Sequence, residues 1–318
     1  MSLIKNSKEL KNASLLVILG PTASGKTDIS LRLAKELEGE IISADSLQIY
    51  KEFDIGSAKP DERQLKTVKH HLIGTISPKT ELNAFDYSTM ARQSIKEVVS
   101  KGRFPILVGG SGLYVRAVLD GLLKVEGSFK GVRQSIIDEI KTKGLKFLYE
   151  ELVKSDPDSA KHIHFNDEMR IIRALELFRV TNKSRKEIAK SAIPLDIGST
   201  VLIGLNLERK ELYSRINDRV DKMLSAGLLN EVKTIVDKYG FEISQLNGLG
   251  YRQFADHLKG LITFEKAVYL TKMNTRHYAK RQITWFKKDP RVNWVDAKED
   301  IDILLRYIIS KIKEKKCL

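Results

Sequence analysis

The clearest chemistry in this chain sits in eight residues, GPTASGKT, from Gly20 to Thr27. They satisfy the phosphate-loop pattern G-x-x-x-x-G-K-[ST] at every fixed position. Glycines let such a loop turn its backbone N–H groups inward on an anion, and the helix that follows adds partial positive charge. Gly20, Pro21, Thr22, Ala23, Ser24 and Gly25 would form the cradle. Lys26 would reach phosphate oxygens, and the Thr27 hydroxyl would ligate Mg²⁺. The pattern does not say whether the phosphate belongs to ATP or to another diphosphate. A second group of interest is Asp45, which opens the stretch DSLQIY. A carboxylate here could hold Mg²⁺ or take a proton from a nucleophile. It could equally cap the next turn. Pattern alone leaves both readings open.

Positioning these groups requires particular elements. Leu15 to Leu19 (LLVIL) is a short apolar run ending at a glycine, which predicts a buried strand. Ile29, Leu33, Ala34 and Leu37 then recur at helical spacing, with Gly39 as a helix stop. Strand, glycine loop and helix is the context a phosphate loop needs. Residues 40–43 predict the next strand, so Asp45 falls just beyond its carboxyl end. Ligands of open α/β sheets bind at that end. The alternation repeats with strand 105–108, the turn GGSG at 109–112 and a helix from Leu113. Further strands are predicted at 201–205 and 292–295. This order predicts an α/β fold, a P-loop NTPase-like core with a parallel sheet flanked by helices.

Between 127 and 191 no strand is predicted. Ile136, Ile137 and Ile140, then Ile171, Leu175 and Phe178, follow helical spacing instead. We therefore expect a catalytic core built from 1–123 and 198–318, interrupted by a mostly helical insertion at 124–197. Helices continue from Arg209 to His257 and from Thr263 to Lys287. An amphipathic helix should close the chain, with Ile301, Leu304, Leu305, Ile308 and Ile312 on one face.

Lys and Arg number 55 against 41 for Asp and Glu, a net charge of +14. Such a surplus suits a polyanionic partner such as nucleic acid. Cys317 is the one cysteine, which excludes an intrachain disulfide framework or a cysteine zinc site. It stands too close to the end for a prenylation box. The first fourteen residues carry no apolar signal core, and no apolar run approaches about 18 residues. A cytoplasmic location is expected. His70-His71 and His162-x-His164 lack the spacing of a zinc site.

Seven stretches, in order, resemble the tRNA dimethylallyltransferases (tRNA isopentenyltransferases). They are GPTASGKT at 20–27, DSLQIY at 45–50, DIGSAKP at 54–60, GGSGLYVRAVLDGL at 109–122, IHFNDEMRIIRALELF at 163–178, GLGYRQF at 248–254 and YAKRQITWFKKDPRVNWVD at 278–296. The resemblance implies transfer of a dimethylallyl group from dimethylallyl diphosphate to the exocyclic amine of an adenosine. That adenosine is position 37, beside the anticodon, in tRNAs reading codons that begin with U. The phosphate loop would then hold an isoprenoid diphosphate.

By the same resemblance, Asp45 matches the family's general base and Ser111 the hydroxyl residue beside the reacting amine. Arg219, in RINDRV, matches the arginine that serves the diphosphate. Read without the resemblance, Arg219 is an ordinary exposed helical arginine. The resemblance places tRNA contacts at Asp45, Ser46, Leu47 and Gln48, at Ser111 and at Arg133. It adds Met169, Arg170, Ile171, Ile172 and Arg173, then Asn247, Gly248, Leu249, Gly250, Tyr251 and Arg252. The last group is Lys280, Arg281, Gln282, Trp285 and Lys287. Basic and aromatic residues interleave there as RNA binding favours, although the aromatics of an amphipathic helix are more often core. The resemblance also implies Mg²⁺ as cofactor, the anticodon stem-loop of tRNA as partner and a monomer. A zinc finger carried by eukaryotic relatives is missing from the chain.

The sequence departs from the family pattern at Ser111, which lacks the usual threonine methyl, at Ser57 for threonine and at Gly74 for an acidic residue. Three other readings compete: an ATP-dependent small-molecule phosphotransferase, a prenyltransferase of free adenine nucleotide, and a non-catalytic RNA-binding protein with a relic loop. The RNA-facing stretches and the intact Lys26, Thr27, Asp45 and Arg219 weigh against them.

Overall fold

The computed structural model describes residues 14–122 and 129–316. The N-terminal stretch, Cys317 and the expected boundary near 124 lie outside them. Within one compact unit, Met1–Val118 with Leu195–Leu318, six parallel strands form one sheet in the order β3-β2-β4-β1-β5-β6. They are β1 (Ser14–Leu19), β2 (Gly39–Ala44), β3 (His70–His71), β4 (Phe104–Gly109), β5 (Ser199–Asn206) and β6 (Val292–Asp296). β1 is central, with Val17 opposite both Leu107 and Leu202. Every residue of β1 is buried, so both faces of the sheet are covered. That is why its sequence reads as a continuous apolar run rather than an alternation.

On one face, Leu16, Ile18, Ile106 and Ile203 pack with Ile29 and Leu33 of α1 (Lys26–Glu36). Leu304, Leu305, Ile308 and Ile312 of the C-terminal helix join the same cluster, the stripe expected of that helix. Ile301 is only partly buried against it. Strands and helices fall within a residue or two of the expected spans. Gly39 is a difference, because it opens β2 instead of ending the helix; the helix ends at Glu36, with Leu37 as its C-cap. Three elements had no place in the expected order: α2 (Glu62–Thr67), the helix Ala84–Ser100 and the edge strand β3. Two residues are too few to show a period.

The second unit, Leu119–Pro194, has helices joined by turns and no strand among its described residues. Its long helix α5 (Phe129–Ser155) is broken at Gly144, whose φ of 83° glycine adopts without strain. The intervening elements are α3 (Ala84–Ser100) and α4 (Gly112–Leu119). After α5 come α6 (Pro157–Ala160), α7 (Glu168–Thr181) and α8 (Arg185–Lys190). Ile136, Leu148, Leu152, Ile163, Ile171, Ile172 and Leu175 form a separate core.

Candidate active site

Three neighbouring strands deliver three functional segments to one end of the sheet. β1 runs into the phosphate loop, β2 into Asp45 and β4 into the Gly110–Ser111 turn. All six strands are parallel, so all three segments emerge at the carboxyl edge. There the phosphate loop, Asp45 and the end of β4 at Gly109 line a cavity of about 1190 Å³. β5 leads into α9 (Arg209–Ser225), which brings Arg219 to the same cavity. Two more helices follow, α10 (Leu228–Tyr239) and α11 (Tyr251–Leu258), with a 3-10 turn at Ser244–Asn247 between them. The turn's end, Asn247 to Gly250, is a further wall. The long helix α12 (Phe264–Phe286) turns Thr271, Thr275, Tyr278 and Gln282 inward, which is one face at helical spacing.

The phosphate loop is shaped for an anion. Gly25 caps α1 with φ 89°, a conformation that glycine takes without the cost a side chain would meet. Lys26 folds back on its own loop, donating to the carbonyls of Gly20 and Pro21 at 3.0 and 2.7 Å. Burial and the nearby Arg219 guanidinium lower the Lys26 ammonium to about 7, against the opposing pull of Asp45. Arg219 is itself pulled down by burial and held up by Asp45. Two cations and one carboxylate thus share the cavity lining, and the Arg219 charge disfavours that of Lys26. An added anion would relieve that repulsion. Ser24 Oγ is buried without a hydrogen-bond partner.

Asp45 makes the turn cap that one of its two sequence readings expected. Oδ1 accepts the N–H groups of Leu47 and Gln48 at 2.9 and 3.2 Å and so caps the following turn. Its other oxygen takes no part in that cap. Tyr114 and Tyr278 flank the carboxylate, and both phenols are pushed up to about 12, mainly by burial and further by Asp45. Tyr114 stacks on the buried Tyr87 with ring centroids 4.0 Å apart. Ser111 and Gln282 oppose that rise at Tyr278. Ser111 donates its backbone N–H to Ala44 O at 3.3 Å and does not line the cavity directly. Tyr278 lay inside a quoted motif, but nothing in one sequence marks which tyrosine of a helix faces inward.

Gln282 was expected at the RNA. It is buried, and it bridges the phosphate loop to the glycine turn. Its Oε1 accepts from Thr22 N–H and its Nε2 donates to Gly110 O, both at 2.9 Å. The glycines make room for this: a Cβ on Gly110 would lie 2.2 Å from Gln282, and one on Gly112 2.3 Å from Trp285. Lys280, Arg281 and Lys287 are exposed, as is Trp285, whereas Phe286 is core. The aromatics of this helix thus split between the two expected fates.

Tyr251 corrects an expectation. Its side chain is wholly buried, with the hydroxyl donating to Glu231 and accepting from Ser57 N–H, so it cannot meet an RNA. The adjacent Arg252 is exposed. Within the insertion, Ile171 and Ile172 are likewise core. Met169, Arg170 and Arg173 face solvent from α7. Arg133 and Arg173 both pair with Glu176, at 2.9 and 3.1 Å, and Glu176 is 1% exposed. A charged residue at a core position is a sequence signal, yet its two partners could not be read from spacing alone. His71 pairs with Glu40 at 2.6 Å, and the described residues hold no cluster of metal-binding side chains. No described helix is long and apolar enough to cross a membrane.

A phosphate loop and an acidic residue at the carboxyl edge of a parallel sheet define a P-loop-type α/β core. A model of the IPP transferase family matches residues 48–289. A tRNA dimethylallyltransferase of Halothermothrix orenii is 44% identical over 289 residues, covering 89% of this chain and 87% of its own. That of Bacillus subtilis is 40% identical over 293 residues, covering 92% and 93%. The crystal structure of a tRNA isopentenylpyrophosphate transferase from Bacillus halodurans aligns with a TM-score of 0.70 at 38% identity, over 95% of this chain and 97% of that one. A eukaryotic dimethylallyltransferase acting on tRNA aligns at 0.74 and 27% identity, over 90% and 74%. The chain belongs to the IPP transferase family.

Proposed function

We propose that this protein is a tRNA dimethylallyltransferase that joins the dimethylallyl group of dimethylallyl diphosphate to the N6 amine of adenosine 37, in tRNAs reading codons that begin with U. The observation that carries the residue roles is the charge arrangement of the cavity. Asp45, Lys26, Arg219, Tyr278 and Tyr114 line one cavity, and the Asp45 charge acts on the other four.

The reaction breaks the C–O bond to diphosphate and forms a C–N bond. Negative charge grows on the leaving diphosphate. Inward amides of the phosphate loop, Lys26 and Arg219 stabilise it. The adenine amine is a weak nucleophile and must lose a proton as it attacks. Asp45 accepts that proton. Ser111, in the turn after β4, orients the amine. The base of a stacked anticodon loop must be extruded to reach this point. The turn at 247–250 and residues 45–48 wall the cavity it would enter.

Mg²⁺ fits the site. Thr27 places a hard hydroxyl oxygen at the cavity beside Lys26, and Mg²⁺ commonly takes one or two protein oxygens with the rest from phosphates and water. When bound it neutralises charge on the diphosphate. The basic surface of Lys280, Arg281 and Lys287, with Arg133, Arg170 and Arg173 of the insertion, supplies phosphate contacts. The protein acts as a monomer in the cytoplasm, on this reading.

The test is a transfer assay with Mg²⁺, labelled dimethylallyl diphosphate and unmodified tRNA carrying adenosine at positions 36–38, run beside AMP and beside ATP without isoprenoid. Label in tRNA alone supports the proposal. Label in AMP moves the protein to free-nucleotide prenylation. ATP consumption without label would assign the loop to a triphosphate.

A further inference from the structure

Glu231, on α10, belongs to none of the functional stretches, yet its carboxylate is fully engaged. Oε2 accepts the backbone N–H groups of Asp54 and Ile55 at 3.1 and 2.7 Å. Oε1 accepts Gly56 N–H at 3.0 Å and the Tyr251 hydroxyl at 2.7 Å. That hydroxyl accepts the N–H of Ser57 at 3.2 Å. Four successive amides therefore end on Glu231 or on the group it holds. Such charge-assisted bonds to main chain fix a loop independently of its side chains. Behind the loop, Tyr251 packs on Phe53 with centroids 4.6 Å apart, and a Cβ on Gly56 would lie 2.6 Å from its ring.

This loop is wired to the proposed base. Gln48 Nε2 donates to the carbonyls of Ser57 and Ala58 at 3.2 and 3.1 Å, and Gln48 Oε1 accepts from Ser43 Oγ at 3.1 Å. The N–H of the same Gln48 caps Asp45 Oδ1. Hydrogen bonds, joined by the main chain of the loop and by Gln48 itself, thus link Glu231 to the Asp45 carboxylate. The loop is also a partition: Gly56 and Ser57 face the main cavity, Asp54 and Ile55 face a neighbouring cavity of about 550 Å³, and Ala58 lines both.

The geometry points to Glu231 as a positioning residue for the transfer reaction: it fixes loop 54–58 and, through Gln48, the direction in which Asp45 presents its free oxygen to the amine. This rests on Asp45 acting as the base. A reacting group displaced by about 1 Å can lose roughly 100-fold in rate. Glu231→Gln keeps the volume but loses the charge and sets an NH2 donor against backbone N–H groups.

The experiment compares E231Q, D45N and the double variant in single-turnover transfer at saturating tRNA. Affinities for tRNA and inorganic diphosphate and the melting temperature are measured alongside. E231Q is expected to slow transfer about 10- to 100-fold with both affinities within about twofold of wild type. The double variant should be no slower than D45N, because positioning matters only while the carboxylate acts. A wild-type rate for E231Q beside a slow D45N overturns the inference. So does loss of rate, both affinities and melting temperature together, which marks a purely structural clamp. A D45N variant at full rate instead overturns the base assignment on which this role rests. Gln48→Leu reads the link should E231Q not fold: it leaves the loop amides on Glu231 and should slow transfer by about fivefold or more. Full rate in that variant removes the route to Asp45.

Discussion

Lys26 makes the phosphate loop sensitive to pH, and the size of the effect follows from its surroundings. Without an anion, burial and Arg219 bring its ammonium to about 7, from a usual value near 10.5. A bound diphosphate favours the charged form and raises it again, so binding should take up a proton. Affinity then tracks the fraction of free protein already protonated. For a group titrating near 7 that fraction is about one half at pH 7, about 0.09 at pH 8 and about 0.01 at pH 9. Diphosphate affinity should weaken about fivefold from pH 7 to 8 and about tenfold more to pH 9. Dimethylallyl diphosphate, a diphosphate monoester, has its last ionisation at about pH 6, essentially complete in this window, whereas inorganic diphosphate would itself lose a proton there. Titration calorimetry with dimethylallyl diphosphate in the absence of tRNA, in buffers of different ionisation enthalpy, should show uptake of about 0.5 proton at pH 7 and about 0.9 at pH 8. Lys26→Met should abolish the uptake. Flat affinity from pH 7 to 9 without proton uptake would refute the reasoning. Sign also fixes a stability effect. Above pH 7 the unfolded state holds more protons at this lysine than the native state, so this group's contribution to stability rises with pH until the unfolded lysine also titrates.

Four further outcomes are expected. Asp45→Ala should slow the chemical step by about 100-fold or more with tRNA affinity retained, and unchanged single-turnover transfer would remove Asp45 from the base role. Gly110→Ala drives a methyl into Gln282 and should break its bridge to Thr22, at about 1–3 kcal/mol of stability in a denaturant melt. Tyr251→Phe strands Ser57 N–H and part of the Glu231 carboxylate in the interior, costing about 1–3 kcal/mol by the same measurement. Affinity for tRNA should fall steeply with salt, and Arg133→Ala should flatten the logarithmic slope by about one; no salt dependence would show that the basic surface is not the RNA footprint.

The sequence alone determined the parts that depend on neighbours along the chain. The run LLVIL reads as a strand because a parallel sheet buries both faces, and it is wholly buried. Spacing of Ile29 and Leu33, and of Leu304 to Ile312, located helix faces, since 3.6 residues per turn is a local property. Placement of Gly20–Thr27 and Asp45 at strand ends needed no more than that. Only tertiary structure decided what those residues meet. Arg219 reads as a solvated helical arginine until α9 brings it within reach of Lys26 and Asp45. Gln282 reads as part of a basic RNA-facing helix until it is found bridging Thr22 and Gly110, 260 and 172 residues away in the chain. Tyr251 stands in a motif with exposed Arg252, yet one helical step of about 100° separates core from surface. Glu231 carries no motif at all. Its work is done on main-chain N–H groups, which every residue but proline possesses, so its partners leave no mark in the sequence.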